Sequence, residues 1–320
     1  MPAIGTIDFF GLTMSEPEAL EIVPFKVGDA MEAVARTMGF LDPDSQPLDF
    51  AAMFGAAHGS AQFVCCNEDG LTMAYIGLTN SEVPAVEYWD APTEEVFLPE
   101  ELVDRYKRSM EYLFEAVQNP QGSEDQPQGH LLVGYPPLRE IQESFIVDAR
   151  DKQALLIQVL HESVDPEQRS VAAHVLGYAP DKKAIVPELV LAVRDSNGAV
   201  RNNATRAIGE IAVYAVTNPQ LGIEIDGDVF VDMLNSLDWT DRNKGLMVLH
   251  MVSRTRDDEL LSALRTRTLS ALIEMCAWKN LGHAEGACVI LERILGLPEQ
   301  DTLHPRASTL AQARALAAEP

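Results

Sequence analysis

Asp165-Pro166-Glu167-Gln168-Arg169-Ser170-Val171-Ala172-Ala173-His174-Val175-Leu176-Gly177 is the stretch that decides the fold, because it recurs. Thirty-two residues on stands Ser196-Asn197-Gly198-Ala199-Val200-Arg201-Asn202-Asn203-Ala204-Thr205-Arg206-Ala207-Ile208-Gly209. Arg169 corresponds to Arg201, Ala172 to Ala204, Leu176 to Ile208 and Gly177 to Gly209. A third copy starts at Asp241, with Arg242, Gly245 and Leu249 in the same slots. A weaker fourth runs Gly282–Ile290, with Gly286 and Ile290 in register. Self-similarity at this period marks a stacked array, in which each unit buries its apolar face only against its neighbours.

Each copy follows an apolar helical run: Leu155–Leu160, Ile185–Val193, Val229–Leu237 and Leu260–Cys276. The unit is therefore helix, short turn, helix. Asp165 and Pro166 supply an N-cap and a first-turn proline. The small residue three places after the arginine lets two helices approach closely, and the acid and arginine at the turn can link neighbours. The pattern Asp…Val-Arg…Ala…Leu-Gly resembles HEAT repeats of the bacterial, PBS-lyase-like type. That resemblance implies an α-solenoid over residues 151–320, closed by a capping helix at Pro305–Ala318. The arginines then read as structural, because their register is the one the repeat needs.

Composition bounds the partners. The chain has 320 residues, 24 Lys+Arg against 49 Asp+Glu, and a net charge of −25. Residues 1–150 hold 26 acids against 7 bases, while residues 151–320 hold 23 against 17. Nucleic-acid affinity comes largely from cations on phosphate, so that polymer is excluded, and an anionic membrane surface is disfavoured. The longest uncharged run, Phe50–Asn67, is too polar to span a bilayer. No basic-then-apolar leader follows Met1, which places the chain in the cytoplasm as written, or in the periplasm if a signal was removed. The charge step puts one domain boundary near residue 150.

Residues 1–80 read as a small β-α-α-β-β domain. Ile4–Gly11 alternates as a strand. Ser15 caps a helix over Pro17–Ile22, Ala30–Met38 is a second helix, and Phe50–Ala57 has helical character. Ala61–Cys66 and Leu71–Leu78 form a hairpin around Asn67-Glu68-Asp69-Gly70. Ile7-Asp8-Phe9-Phe10-Gly11 and Val23-Pro24-Phe25-Lys26-Val27-Gly28-Asp29 resemble the POTRA domain, the latter as its link between helices. The resemblance implies a module that accepts partner strands at its sheet edge. The alternative is an edge capped by the chain's own loop. Residues 81–150 read as an acidic helical connector, with a helix from Leu98 to about Gln118, a polar mobile loop at 119–130 and a further helix from Leu138.

Chemistry is sparse. Cys65 and Cys66 should point to opposite faces of a strand, one of them buried. Cys276 and Cys288 can sit on neighbouring helices, where a disulfide is conceivable, but four cysteines make no disulfide framework and they read as free core thiols. Cys276, His283 and Cys288 fit no closed zinc spacing. His161-Glu162 resembles the iron-holding pairs of deoxyhypusine hydroxylase, yet that site needs several such pairs. Asp238-Trp239 resembles a pair used by HEAT-fold DNA glycosylases, against which the acidity argues. No phosphate-cradling loop, nucleophile elbow or carboxylate pair is found, and no cofactor is expected. Arg242, Lys244, Arg254, Arg256, Arg265 and Arg267 form a basic run that reads as solvated helix ends, or as a patch docking the acidic N-terminal half or an acidic partner.

The sequence thus points to a mainly α protein: a C-terminal HEAT-repeat α-solenoid with a small N-terminal α+β domain. Its expected role is non-catalytic protein–protein interaction, with the partner and oligomeric state open. The alternative is an accessory enzyme or chaperone holding a pigment or cofactor on the HEAT surface, as phycobilin lyases do. Asp165, Arg169, Ala172, Gly177, Arg201, Ala204, Gly209, Arg242 and Gly245 are the expected repeat-forming residues. If the register is right, Ala204→Glu places a carboxylate between packed helices. It should cost on the order of 3–5 kcal/mol, read as a sharp fall in melting temperature, whereas an unchanged Tm would refute the register.

Overall fold

The computed structural model of the chain describes residues 2–41, 47–81, 86–117, 123–125, 128–299 and 306–318. Its packing forms two units. One joins Met1–Val86 to Phe230–Pro320, and the other is Glu87–Val229. The chain is mainly α, with fourteen α-helices among the described residues and a small N-terminal α+β portion. The three consecutive segments read from composition describe the sequence. Packing pairs the first stretch with the last.

The N-terminal portion runs β1 (Ile4–Phe10), α1 (Glu16–Ile22), α2 (Met31–Thr37), α3 (Phe50–Phe54), β2 (His58–Val64) and β3 (Thr72–Thr79). The sheet order is β1-β3-β2, with β1 parallel and β2 antiparallel to β3. Ile7, Ala74 and Ile76 face α1–α3 and pack with Val34, Met38 and Phe50. The chain turns out of β1 at Gly11, whose φ is +71°. A Cβ there would lie 1.9 Å from the Leu78 carbonyl oxygen, so only glycine fits. β2 ends at Val64, so strand alternation does not reach Cys65 and Cys66. Contrary to expectation both are exposed, and their sulfurs are bonded to each other.

The second unit begins with an extended run that crosses the turns of the array. Trp89 N–H donates to the Arg194 carbonyl at 2.8 Å, Glu94 N–H to the Glu162 carbonyl at 3.0 Å, and Val164 N–H to the Glu94 carbonyl at 2.8 Å. Then come α4 (Glu100–Val117), β4 (Glu124–Asp125), β5 (Leu132–Val133) and α5 (Pro136–Asp151). Of the polar stretch 119–130, residues 119–122, 126 and 127 lie outside the described ones. Within the rest, Glu124 and Asp125 pair with β5, and His130 is buried. The helix pairs follow: α6 (Gln153–Glu162) with α7 (Pro166–Leu176), and α8 (Lys182–Ala192) with α9 (Gly198–Thr217). Asp165, Asp181 and Asn197 cap α7, α8 and α9 through backbone amides at 2.8, 3.1 and 2.9 Å.

The third copy departs from expectation in its first helix. Residues Val229–Leu237 form the short α10 (Asp228–Val231) and a 3₁₀ segment (Asp232–Asn235), not a full helix. After it come α11 (Trp239–Val252), α12 (Asp258–Cys276), α13 (Leu281–Ile294) and α14 (Ala307–Ala317). α14 packs on α12 and α13, and Arg306 holds buried Glu292 at 3.1 Å. Pro305, the first residue of the expected capping helix, is outside the described residues.

Cys276 and Cys288 are joined in a disulfide, not left as free core thiols. α12 and α13 bring their Cα atoms to 4.8 Å, inside the range a disulfide requires. The bond closes a loop of 12 residues, for which chain entropy gives about 3 kcal/mol. Reductant should lower the Tm of the chain. Cys276→Ser with Cys288→Ser should start from that lower Tm and lose most of the reductant response.

Candidate functional site

The repeat arginines share one local geometry. Arg169 donates from Nη1 to the carbonyls of Ser163 and Val164 at 2.8 and 3.3 Å. Arg201 donates to those of Asp195 and Ser196 at 3.0 and 3.1 Å, and Arg242 donates from Nε to Ser236 at 2.7 Å. Each side chain folds back across its own helix start and satisfies carbonyls in the preceding turn. Arg169 also grips Asp195 of the next copy with both nitrogens, at 2.7 and 2.9 Å. Arg201 lies 3.8 Å over the Tyr88 ring, and Arg242 lies 4.1 Å over Phe10. Burial pulls the Arg242 guanidinium down to about 10, against the opposing charge of Glu274. All three are buried, and their hydrogen bonds are directed inward.

Ala172 and Ala204 are fully buried, as close helix approach needs. A Cβ on Gly177 would meet Ala207 at 2.8 Å, and one on Gly245 would meet Met233 at 3.0 Å. Gly209 is buried in α9.

The far face of the β1-β3-β2 sheet is occupied. Tyr75 stacks on Trp239 at 4.8 Å, lies 5.0 Å from Trp278, and its hydroxyl meets His283 Nδ1 at 2.6 Å. Gln62 accepts from Thr240 N–H, Gly11 N–H donates to Glu274, and Lys279 pairs with Glu16 at 2.7 Å. Burial, with the Asp8 charge, raises the Tyr75 hydroxyl well above its usual range. Burial also drops His283 to about 4, helped by Lys244. Neutral His283 therefore accepts the phenolic proton. Trp239 is walled in by Tyr75, Trp278 and His283.

The sheet's two edges differ. At β1, Gly28 N–H donates to Ile4 O and Ile4 N–H donates to Asp29 O, both at 2.8 Å, and Lys279 reaches the Ile7 carbonyl. Among the described residues, no backbone hydrogen bond is made on the outer side of β2 (His58–Val64).

The second unit holds a cavity of about 40 Å³ between α4, α5, α7 and α9, room for about three waters. His174 lines it from α7, Tyr178 from the turn that follows, Arg206 and Glu210 from α9, and His130 from the segment before β5. Burial lowers His174 to about 3, with Arg206 adding to the effect. Burial lowers His130 to about 4, with Lys182 adding. Burial brings Lys182 to about 7, where its Nζ donates to Gly177 O at 2.6 Å. None of these was singled out as a site residue in the sequence. The available signal was periodicity: His174 and Arg206, like Tyr178 and Glu210, are one 32-residue period apart.

The six cations of the basic run do not share one surface. Arg242 is buried, Lys244 is half-buried, and Arg254, Arg256, Arg265 and Arg267 are exposed. Arg267 pairs with Asp232, and Arg256 with Glu299 at 3.5 Å. His161 meets Glu188 at 2.8 Å, and among the described residues no three metal-ligating side chains converge.

The family model for HEAT repeats matches residues 154–244. Those residues are HEAT repeats. They take in α6 to α10 and the start of α11, and include the arginine geometry described above. No curated protein matches the chain. Among solved structures, the crystal structure of an engineered protein from the Northeast Structural Genomics Consortium is similar at a TM-score of 0.37 and 18% identity, covering 65% of this chain and 94% of that one.

The HEAT core yields two predictions. Asp195→Ala leaves the Arg169 guanidinium, only 1% exposed, without its carboxylate. That should cost about 3–5 kcal/mol in urea unfolding, and Asp195→Glu should recover part of it. For pH, Lys182 folded near 7 against an ordinary 10.5 means that the unfolded chain binds the extra proton between those values. Stability therefore rises with pH from about 7 to 10.5. His130, His174, His250 and His283, each held near 3 to 4, add stability that is full above about 6.5 and lost as pH falls towards 4. Urea midpoints should rise along both limbs, and Lys182→Met should flatten the alkaline one.

Proposed function

We propose that the chain is a non-catalytic protein-interaction scaffold. Its N-terminal module would be a POTRA-like strand acceptor, and its bacterial, PBS-lyase-like HEAT helices would provide a second surface. The observation that carries this is the asymmetry of the sheet. One face packs on α1–α3, the other on α11–α13, and the β1 edge is engaged by residues 28–29 and Lys279. That leaves the β2 edge as the place where an extended segment can add by backbone pairing. HEAT repeats are commonly protein-interaction scaffolds, which supports an interaction role.

The charge supports a second contact. Arg254, Arg256, Arg265 and Arg267 are exposed near α12, and they make the patch offered to an acidic partner, without Arg242. Along the sequence, residues 1–80 would act as the strand acceptor, 81–150 as an acidic connector and 151–320 as the solenoid. The alternative, an accessory enzyme or chaperone holding a pigment or cofactor on the HEAT surface, predicts an absorbing ligand that co-purifies with the chain.

A photo-crosslinker placed at His58 and, separately, at Arg254 of the full chain tests the reading in a host lysate. Discrete protein adducts are expected, and the His58 partner should protect the amides of His58–Val64 from exchange. Absence of adducts at both positions, with turnover of a small molecule by the purified chain, would sink the proposal.

A further inference from the structure

The array uses Arg169 and Arg201, Ala172 and Ala204, and Leu176 and Ile208 to hold itself together. Positions 174 and 178 and their period mates 206 and 210 do not repeat in residue type; Tyr178 donates to the Leu131 carbonyl at 3.2 Å. The stretch carries His174 and Tyr178 in one copy and Arg206 and Glu210 in the next. The third copy has Met247 and Met251 there. All four polar side chains line one cavity.

Arg206 is the distinctive member. It is half-buried, and among the described residues no carboxylate or carbonyl accepts from it. The repeat arginines beside it are tied to Asp195 and to turn carbonyls. A guanidinium presents five donors in a planar fork that matches a carboxylate. His174 packs against the rings of Tyr106, Phe145 and Tyr178 at 5.0 to 5.5 Å. The remaining wall is apolar, with Met110, Leu113, Leu131 and Leu138.

We propose that this cavity is a binding site for a small monocarboxylate. The carboxylate sits on the Arg206 fork, and its short apolar chain lies against Met110, Leu113 and Leu131. Neutral His174 and Tyr178 border the head group. The volume of about 40 Å³, room for about three waters, favours a ligand of a few heavy atoms. The Glu210 carboxyl, one helical turn beyond Arg206, disfavours a dianion more than a monoanion. The site therefore selects acetate or propionate over phosphate.

Calorimetric titration of the full chain with propionate, at constant ionic strength in chloride, tests this. One saturable site is expected, with acetate competing and phosphate binding at least about tenfold more weakly. Arg206→Gln should weaken propionate about tenfold or more, with Tm unchanged. Met110→Trp, which fills the cavity and keeps the arginine, should abolish binding. It gives the reading if Arg206→Gln fails to fold. No saturable heat with propionate, phosphate binding as tightly as propionate, or affinity unchanged in both variants would each overturn the assignment.

Discussion

The fold of the second unit depends on a buried cation that has no water to turn to. Arg169 is nearly inaccessible, and an ion taken out of water is tolerated only when its donors are matched. Here they are, by two carbonyls of the preceding turn and both oxygens of Asp195. The arrangement couples three things: the turn that leads into α7, the helix itself, and the turn that leads into α9. Asp195 also accepts from Asn197 N–H at 2.7 Å, so the carboxylate that neutralises one repeat shapes the start of the next. The spacing between copies follows from that single carboxylate.

The same device is weaker at the third copy, and the structure shows why. Arg242 keeps the bond to the turn carbonyl, at Ser236, but its acid is Glu274 at 3.4 Å, from α12. Its guanidinium rests on the Phe10 ring. The arginine that joins neighbouring repeats earlier in the chain joins β1 to the helices here. That substitution accompanies the shortened helix before α11 and the change of period from 32 to 41 residues.

Much of this was legible. Repetition of Arg, Ala and Leu-Gly needs no tertiary information, and caps at Asp165 and Asn197 are local. The sheet's second face was not legible. Met73, Tyr75 and Gly77 alternate with Ala74, Ile76 and Leu78, and nothing local distinguishes a half-exposed hairpin strand from one covered on both sides. The informative residue was Gly77: a Cβ there would strike the Phe10 ring and come within 3.0 Å of Leu237 O. The Cys276–Cys288 bond was conceivable but undecided for a similar reason, since helix adjacency, not cysteine count, decides it. At the candidate site, the periodic positions 174/206 and 178/210 were visible, but the pattern search rewards sameness and these positions differ in residue type.

Charge shows how far composition can be carried. The step near residue 150 is real in the sequence, yet packing divides the chain after Val86 and after Val229. Long-range charge is screened within about 10 Å at ordinary ionic strength, whereas burying a Tyr or Trp side chain removes on the order of 150–250 Å² from water. Tyr75, Trp239 and Trp278 thus outweigh any preference for grouping acids together. The acidic N-terminal stretch meets the helices mostly through aromatic packing, with Lys279 bridging Asp8 and Glu16 at 3.7 and 2.7 Å. Net charge limits which polymers the surface attracts, and apolar contact decides which parts of the chain fold as one.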